Sequence, residues 1–83
     1  MQIKIRLFAR LRDIAGAPEL VRDVPRGTTL RTVWQGLTQE YRDFERYSTL
    51  ISGAVNDQYA RMDALLEDGD EVAFLPPVSG GWH

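Results

Sequence analysis

The sequence contains no cysteine, so a disulfide framework, a thiolate metal site and a catalytic or redox thiol are all excluded. It is almost as poor in general bases and amine nucleophiles. Lys4 is the only lysine among ten basic residues, the rest being arginine, and His83 is the only histidine and the last residue. A chain so equipped has little with which to run catalysis alone. A single terminal histidine is also a poor metal site, since no second histidine or cysteine exists to share the ion. Long hydrophobic runs are missing too, and nothing approaches the span of a bilayer. The opening Met-Gln-Ile-Lys-Ile-Arg-Leu-Phe alternates apolar and charged residues instead of forming the apolar block of a signal peptide. No excess of positive charge exists: ten basic residues against twelve acidic ones leave a formal charge of -2, which gives no footprint for nucleic acid. These absences are those expected of a cytoplasmic protein that binds neither membrane nor nucleic acid.

What remains is an 83-residue chain with 43% apolar and 27% charged residues, the composition of one globular domain rather than a disordered segment. A chain of this size buries only about 60–65% of its extended surface, so every apolar face must be used. Ile3, Ile5 and Leu7 alternate with Lys4 and Arg6, the period of a half-buried strand. Phe8 falls on the charged face of that strand, where it either turns into the edge of the core or stands exposed. Residues 9–15 suit a short helix closed by Gly16, with Pro18 preventing its continuation. Glu19 to Val24 reads as a second strand, antiparallel to the first.

After Pro25-Arg26-Gly27, Thr28 or Thr29 offers an N-cap hydroxyl. Leu30, Val33, Trp34, Leu37 and Tyr41 then form one apolar stripe at helical spacing, which assigns Trp34 to core packing. Phe44, Tyr47, Leu50 and Ile51 are expected to pack a looser segment over the end of the sheet. Gly53 to Val55 is a short strand, and Asn56-Asp57 turns the chain into a hairpin toward Tyr59. Asp63-Ala64-Leu65-Leu66 reads as a capped single turn. The acidic run Glu67–Glu71 is a solvated tight turn centred on Asp68-Gly69, too short for an EF-hand. Glu71 to Leu75 forms the last strand, with Val72 and Phe74 on one face. The expected architecture is α+β, a mixed sheet wrapped around one main helix, with first and last strands able to pair in parallel. Residues 1–75 form this domain, and 76–83 an extended C-terminal arm that two prolines separate from the sheet.

The arm reads Pro76-Pro77-Val78-Ser79-Gly80-Gly81-Trp82-His83. Glycine offers the thinnest backbone and the widest conformational freedom, so a Gly-Gly stretch can enter a narrow channel beside ATP for activation of a carboxylate. On its own the same pair also fits a merely flexible end. The run from Asp68-Gly69-Asp70-Glu71-Val72 through Phe74-Leu75-Pro76-Pro77-Val78-Ser79-Gly80-Gly81 resembles the C-terminal motif of the MoaD/ThiS family of ubiquitin-like sulfur carriers, and most nearly its MoaD branch. The first strand with Phe8-Ala9-Arg10-Leu11-Arg12-Asp13-Ile14-Ala15-Gly16, and the pair Val55-Asn56, extend the resemblance over residues 2–81.

That resemblance implies a β-grasp (ubiquitin-like) fold and a carrier whose reactive group is its own backbone terminus. A MoeB-like E1 activating enzyme would adenylate Gly81 with ATP, and a sulfurtransferase donor would convert the adenylate to a thiocarboxylate. The arm would then enter a MoaE-like large subunit, in a heterotetramer, and give its sulfur to cyclic pyranopterin monophosphate during molybdenum cofactor biosynthesis. ATP and sulfur would be used by the partner enzyme, and no cofactor would be bound by this chain. Gly81 would carry the acyl group and Gly80 its thin approach, while Pro76, Pro77, Val78 and Ser79 would engage the partner's groove. Phe8, Leu75 and Phe74 are the candidate apolar docking residues, with Arg10 and Arg12 as candidate rim charges. Trp82 and His83 depart from the family pattern, because an indole and an imidazole must follow a glycine that should be terminal. Removal of the dipeptide between Gly81 and Trp82 by a processing peptidase is one expectation; a cloning remnant or the start of a fusion to the large subunit are others. Carriers for thiamin, cysteine or another thio-metabolite pathway, and a β-grasp interaction module that is never activated, are the alternative functions.

Overall fold

The computed structural model describes residues 1–77, and Val78, Ser79, Gly80, Gly81, Trp82 and His83 lie outside the described residues. Five strands form one sheet in the order β2-β1-β5-β3-β4. Strand β1 (Gln2–Leu7) pairs antiparallel with β2 (Glu19–Asp23) and parallel with β5 (Glu71–Leu75). On the other side of β5 lie β3 (Ser52–Val55) and then β4 (Gln58–Ala60), both pairings antiparallel. Helix α1 (Ala9–Ala15) joins β1 to β2, and helix α2 (Leu30–Glu40) packs across one face of the sheet. This mixed sheet closed over one main helix is the β-grasp arrangement, and the parallel β1–β5 pair lies at its centre.

Alternation along the strands decides which side chains enter the core. Ile3, Ile5 and Leu7 of β1 are buried, as are Val72 and Phe74 of β5, and all face α2. The helix contributes Leu30, Val33, Trp34 and Leu37 from the expected stripe. Its N-cap is Thr29, whose hydroxyl accepts a hydrogen bond from the Thr32 amide at 3.2 Å. Thr28 instead is buried and donates its hydroxyl to the Pro25 carbonyl. Trp34 stacks on Phe44 with ring centroids 5.4 Å apart and tilts against Phe74 at 5.1 Å. Its indole N–H donates to Ser48 Oγ at 3.0 Å, so the one polar atom of this buried side chain is satisfied. Phe44 is carried by a 3₁₀ helix, Arg42–Tyr47, which caps the end of the core.

Turns follow their residue chemistry. Gly16 closes α1 at φ +75° and Gly69 makes the acidic turn at φ +86°. Asn56 and Asp57 both adopt positive φ, 50° and 69°, the two-residue geometry that matches hairpin twist. Asn56 also ties the hairpin to the acidic turn. Its side-chain oxygen accepts from the Glu71 amide and its nitrogen donates to Asp70 Oδ1, both at 3.0 Å. Asp70 Oδ2 in turn accepts from the Glu67 amide at 2.8 Å, so the carboxylates here serve as turn acceptors.

Two expectations need correction. Leu50 does not pack over the sheet: it is 56% exposed, while its neighbours Tyr47 and Ile51 take the inward positions. Asp63 caps no helical turn. The turn forms one step earlier, with the Ala64 amide donating to Arg61 carbonyl, and residues 64–66 then run extended beside the start of α2. There Leu30 N–H donates to Ala64 O and Leu66 N–H to Thr28 O, so Leu66 enters the core and Leu65 stays outside. Among the described residues, no helix is long and apolar enough to cross a membrane.

Candidate functional site

The chain leaves the sheet from β5, its central strand, at Leu75-Pro76-Pro77. Neither proline has an N–H to give to a ladder, which stops the strand and releases the chain from the sheet. Pro76 is half-buried and Pro77 exposed. The route to Gly80 and Gly81 therefore starts at the middle of one end of the sheet, on a rigid support.

Strand parity places the face beside that exit. Because Val72 and Phe74 point toward α2, Glu71, Ala73 and Leu75 point to the opposite, outer face. Pairing of Leu7 with Phe74 brings Phe8, the next residue of the chain, alongside Leu75. Ala73 is opposite Ala54 of β3, and Ala54 is opposite Tyr59 of β4. The outer face thus presents Phe8, Leu75 and Tyr59 around two small alanines. Tyr59 is 81% exposed and stands largely in water, while Phe8, at 36%, keeps about a third of its surface open beside it.

Charged residues orient the Phe8 side of this patch. Arg6 lies on the same face, with its guanidinium carbon 5.8 Å from the Phe8 ring centroid and Nη1 3.2 Å from Glu71 Oε1. Immediately after Phe8, Ala9 adopts φ +51°, a left-handed conformation that costs an alanine about 1 kcal/mol or more. This sharp turn lets the Leu11 and Arg12 amides both reach the Phe8 carbonyl, starting α1 directly from the end of β1. The strained residue fixes how the chain leaves Phe8 for α1.

Of the docking residues expected from sequence, Phe8, Leu75, Pro76 and Pro77 fall together at the exit. Phe74 does not belong with them. It is fully buried against Trp34, because it shares the inward parity of Val72. Val78, Ser79, Gly80, Gly81 and Trp82 lie outside the described residues. Arg10 sits 4.0 Å from Asp13 one helical turn on, an exposed pair of the kind worth little, and Arg12 is exposed in the last turn of α1. Tyr59, Ala54 and Ala73 complete the face, and the sequence alone does not single them out. Alternation in the last strand points Ala73 outward, but only the β3–β5 register brings Ala54 and Tyr59 beside it.

Known proteins are similar to this chain over nearly its full length. A molybdopterin synthase sulfur carrier subunit of Escherichia coli is 37% identical over 81 residues, covering 95% of this chain and 99% of its own length. The structure of a putative molybdopterin converting factor, subunit 1, from Pyrococcus furiosus superposes with a TM-score of 0.83 at 30% identity, over 94% of this chain and 99% of that one. SAMP1, a small archaeal modifier protein of Haloferax volcanii, superposes with a TM-score of 0.85 at 28% identity, over 98% of this chain and all of its own. The model of the ThiS family matches residues 5–81, from the first strand through the second glycine of the arm, and the chain belongs to that family.

Proposed function

We propose that this chain is the sulfur carrier subunit of a molybdopterin synthase. The observation that carries the reading is the exit of the Pro76-Pro77 arm from the central strand beside an exposed Phe8–Leu75–Tyr59 face, on a chain with almost no catalytic side chains. The 37% identity to the Escherichia coli sulfur carrier subunit supports it independently. Function then resides in a backbone carboxylate presented by a folded handle.

The steps follow from that chemistry. Hydrolysis of the Gly81–Trp82 peptide bond, by a processing peptidase, frees the Gly81 carboxylate. A MoeB-like activating enzyme joins this carboxylate to the α-phosphate of ATP, releasing pyrophosphate and leaving an acyl-adenylate. A sulfur donor attacks the acyl carbon and expels AMP. Sulfide gives the Gly81 thiocarboxylate directly, whereas a persulfide gives an acyl disulfide that a second thiol of the donor cleaves, leaving the thiocarboxylate and a disulfide on the donor. The arm then seats in a MoaE-like large subunit, and sulfur passes to cyclic pyranopterin monophosphate. In this reading Phe8, Leu75 and Tyr59 give the apolar contact that holds the handle, Pro76 and Pro77 limit the conformations the arm must lose on entry, and Val78 and Ser79 engage the partner's groove. No group of the chain is required to act as acid or base.

Intact mass spectrometry tests the order of events. The 83-residue chain is incubated with the activating enzyme, ATP and a sulfur donor, in parallel with a chain ending at Gly81. The shorter chain should gain the mass difference of one sulfur replacing one oxygen, and the longer chain should stay unchanged. Modification of the intact longer chain would refute the processing step. Failure of the shorter chain to become a thiocarboxylate, or to bind a MoaE-like subunit, would refute the carrier reading. The likeness to SAMP1 favours a second reading, a protein modifier. An isopeptide-linked product on lysines of other proteins would identify it.

A further inference from the structure

The β2 edge of the sheet carries a second surface with no part in the carrier reading. Among the described strands β2 is an outer edge. Leu7 N–H donates to Pro18 O and Val24 N–H to Met1 O, with Ile3 opposite Arg22 between them. The even-numbered residues of β2 therefore turn their backbone groups toward β1, and Glu19, Val21 and Asp23 turn theirs away from the sheet. One of these outward groups, the Val21 carbonyl, accepts from Arg22 Nη1 at 3.0 Å, and its second lone pair remains available.

An apolar cleft runs directly beneath this edge, between β2 and α2. Its volume is about 190 Å³, and Ile5, Val24, Pro25, Thr32, Val33 and Gly36 line it. Small-molecule sites run from roughly 300 Å³ upward, so this cleft suits one or two aliphatic side chains instead. It is held open at Gly36, where an added Cβ would meet nothing within 4 Å. The Arg22–Glu40 ion pair, at 2.7 Å, marks its rim. On the outer face the same edge shows Glu19 and Asp23 flanking Val21, all three exposed; Lys4 Nζ lies 3.5 Å from Glu19 Oε2, whereas Asp23 has no ion-pair partner among the described residues.

We propose that β2 and this cleft receive an extended segment of a partner protein, added as a sixth strand, with aliphatic residues alternating with basic ones. Positions of such a strand opposite Glu19 and Asp23 point outward and meet carboxylates, while the positions between them point down into the cleft. Charge argues against a second copy in this place. A two-fold pairing centred on Val21 sets Glu19 against Asp23 twice, and like charges directly opposite repel. The chain's own arm fits no better, because residues 78–83 contain no lysine or arginine.

The test is an amide and methyl NMR titration at low salt with the end-blocked peptide Lys-Val-Thr-Val-Lys, whose palindromic pattern suits either strand direction. Shifts are expected at Glu19–Asp23 and at Thr32, Val33 and Gly36. The peptide Glu-Val-Thr-Val-Glu should bind at least about tenfold more weakly, because two attractive pairs become repulsive. Gly36→Leu fills the cleft, and Val21→Pro removes an N–H that β1 does not use; each should weaken binding about tenfold or more while the circular dichroism spectrum stays that of the parent. Equal binding of the two peptides, no binding at millimolar peptide, or shifts confined to the Phe8–Leu75–Tyr59 face would overturn the proposal. So would concentration-dependent self-association through the same residues without peptide, which would assign the edge to a second copy.

Discussion

Gly53→Ala tests how the helix holds the sheet that supports the arm. Gly53 faces Phe74 across the β3–β5 ladder, and its Cα hydrogen side lies against Leu30 at the start of α2. A Cβ built there would meet Leu30 Cδ2 well inside van der Waals contact, with Leu30 Cγ at 3.3 Å and Met62 Sδ at 3.4 Å. The offending methyl ends a flexible side chain, but Leu30 is fully buried and has no open space to turn into. Overpacking of this kind costs about 1–3 kcal/mol. Restricting the unfolded chain by replacing glycine returns about 0.4–1 kcal/mol. Taking the middle of each range, the net expectation is a loss of about 1 kcal/mol, or about 4–8 °C in melting temperature for a domain of this size.

Urea unfolding followed by circular dichroism measures the loss as a lower midpoint with an unchanged slope. The cycle with Leu30→Ala identifies its cause. That substitution removes both Leu30 atoms that crowd the new Cβ, at its own cost of about 2–5 kcal/mol. All cycle members should carry Gly36→Ala, which adds about 1 kcal/mol at an open helical position about 9 Å along the helix from Leu30. In that background Gly53→Ala should become neutral or stabilising once Leu30 is alanine. If Gly53→Ala costs the same with or without the Leu30 side chain, or costs nothing at all, the close approach is not what fixes β3.

Tyr59→Ala should lower stability by less than about 1 kcal/mol, because its side chain is largely solvated, and Phe8→Ala by about 1–3 kcal/mol, because Phe8 is only 36% exposed; each should weaken binding to a MoaE-like subunit in calorimetry. Phe74→Ala should cost about 3–5 kcal/mol and abolish binding only through unfolding. Asn56→Ala loses two side-chain hydrogen bonds and a residue tolerant of φ +50°, for a total of about 2–3 kcal/mol. Asn56→Gly should lose about 1 kcal/mol less, since it relieves the backbone, and paired urea curves would show equal losses if the φ argument is wrong. Ala9→Gly should be neutral or stabilising in the same assay, because its φ of +51° suits glycine.

Most of the fold is legible in the sequence because the signals are local. Alternation at Ile3, Ile5 and Leu7, the Gly16 stop, a threonine cap at Thr28 or Thr29 and the stripe from Leu30 to Leu37 each act within a few residues. Errors arise where burial is settled at long range. Leu50 is as hydrophobic as Ile51, and only the turn after the 3₁₀ helix, where both amides donate to the Tyr47 carbonyl, separates the exposed one from the inward one. Residues 64–66 give up a helical turn because the orphan amide of Leu30, at the start of α2, takes Ala64 as its acceptor. Phe74 is a different kind of error, since its inward parity is already evident from Val72. Parity alone removes it from the docking face. Tyr59 cannot be found that way, because its neighbours on the outer face come from register between strands that are distant in sequence.

The site divides along the same line. In the carrier reading proposed above, the chemistry of the arm would be written in consecutive residues, Pro76 through Gly81, because a backbone terminus needs no side chain brought from elsewhere. The platform beside it depends on four strands, β1, β5, β3 and β4, which supply Phe8, Leu75, Ala54 and Tyr59. This separation has a physical consequence. A partner that reads only the arm grips a few residues, whereas one that also seats on the platform gains rigid apolar area without a large ordering cost. Loss of Phe8 or Tyr59 should therefore show mainly as faster dissociation, with association little changed. Because Arg6 already holds the Phe8 ring and Ala9 fixes its exit, that contact is organised before the partner arrives.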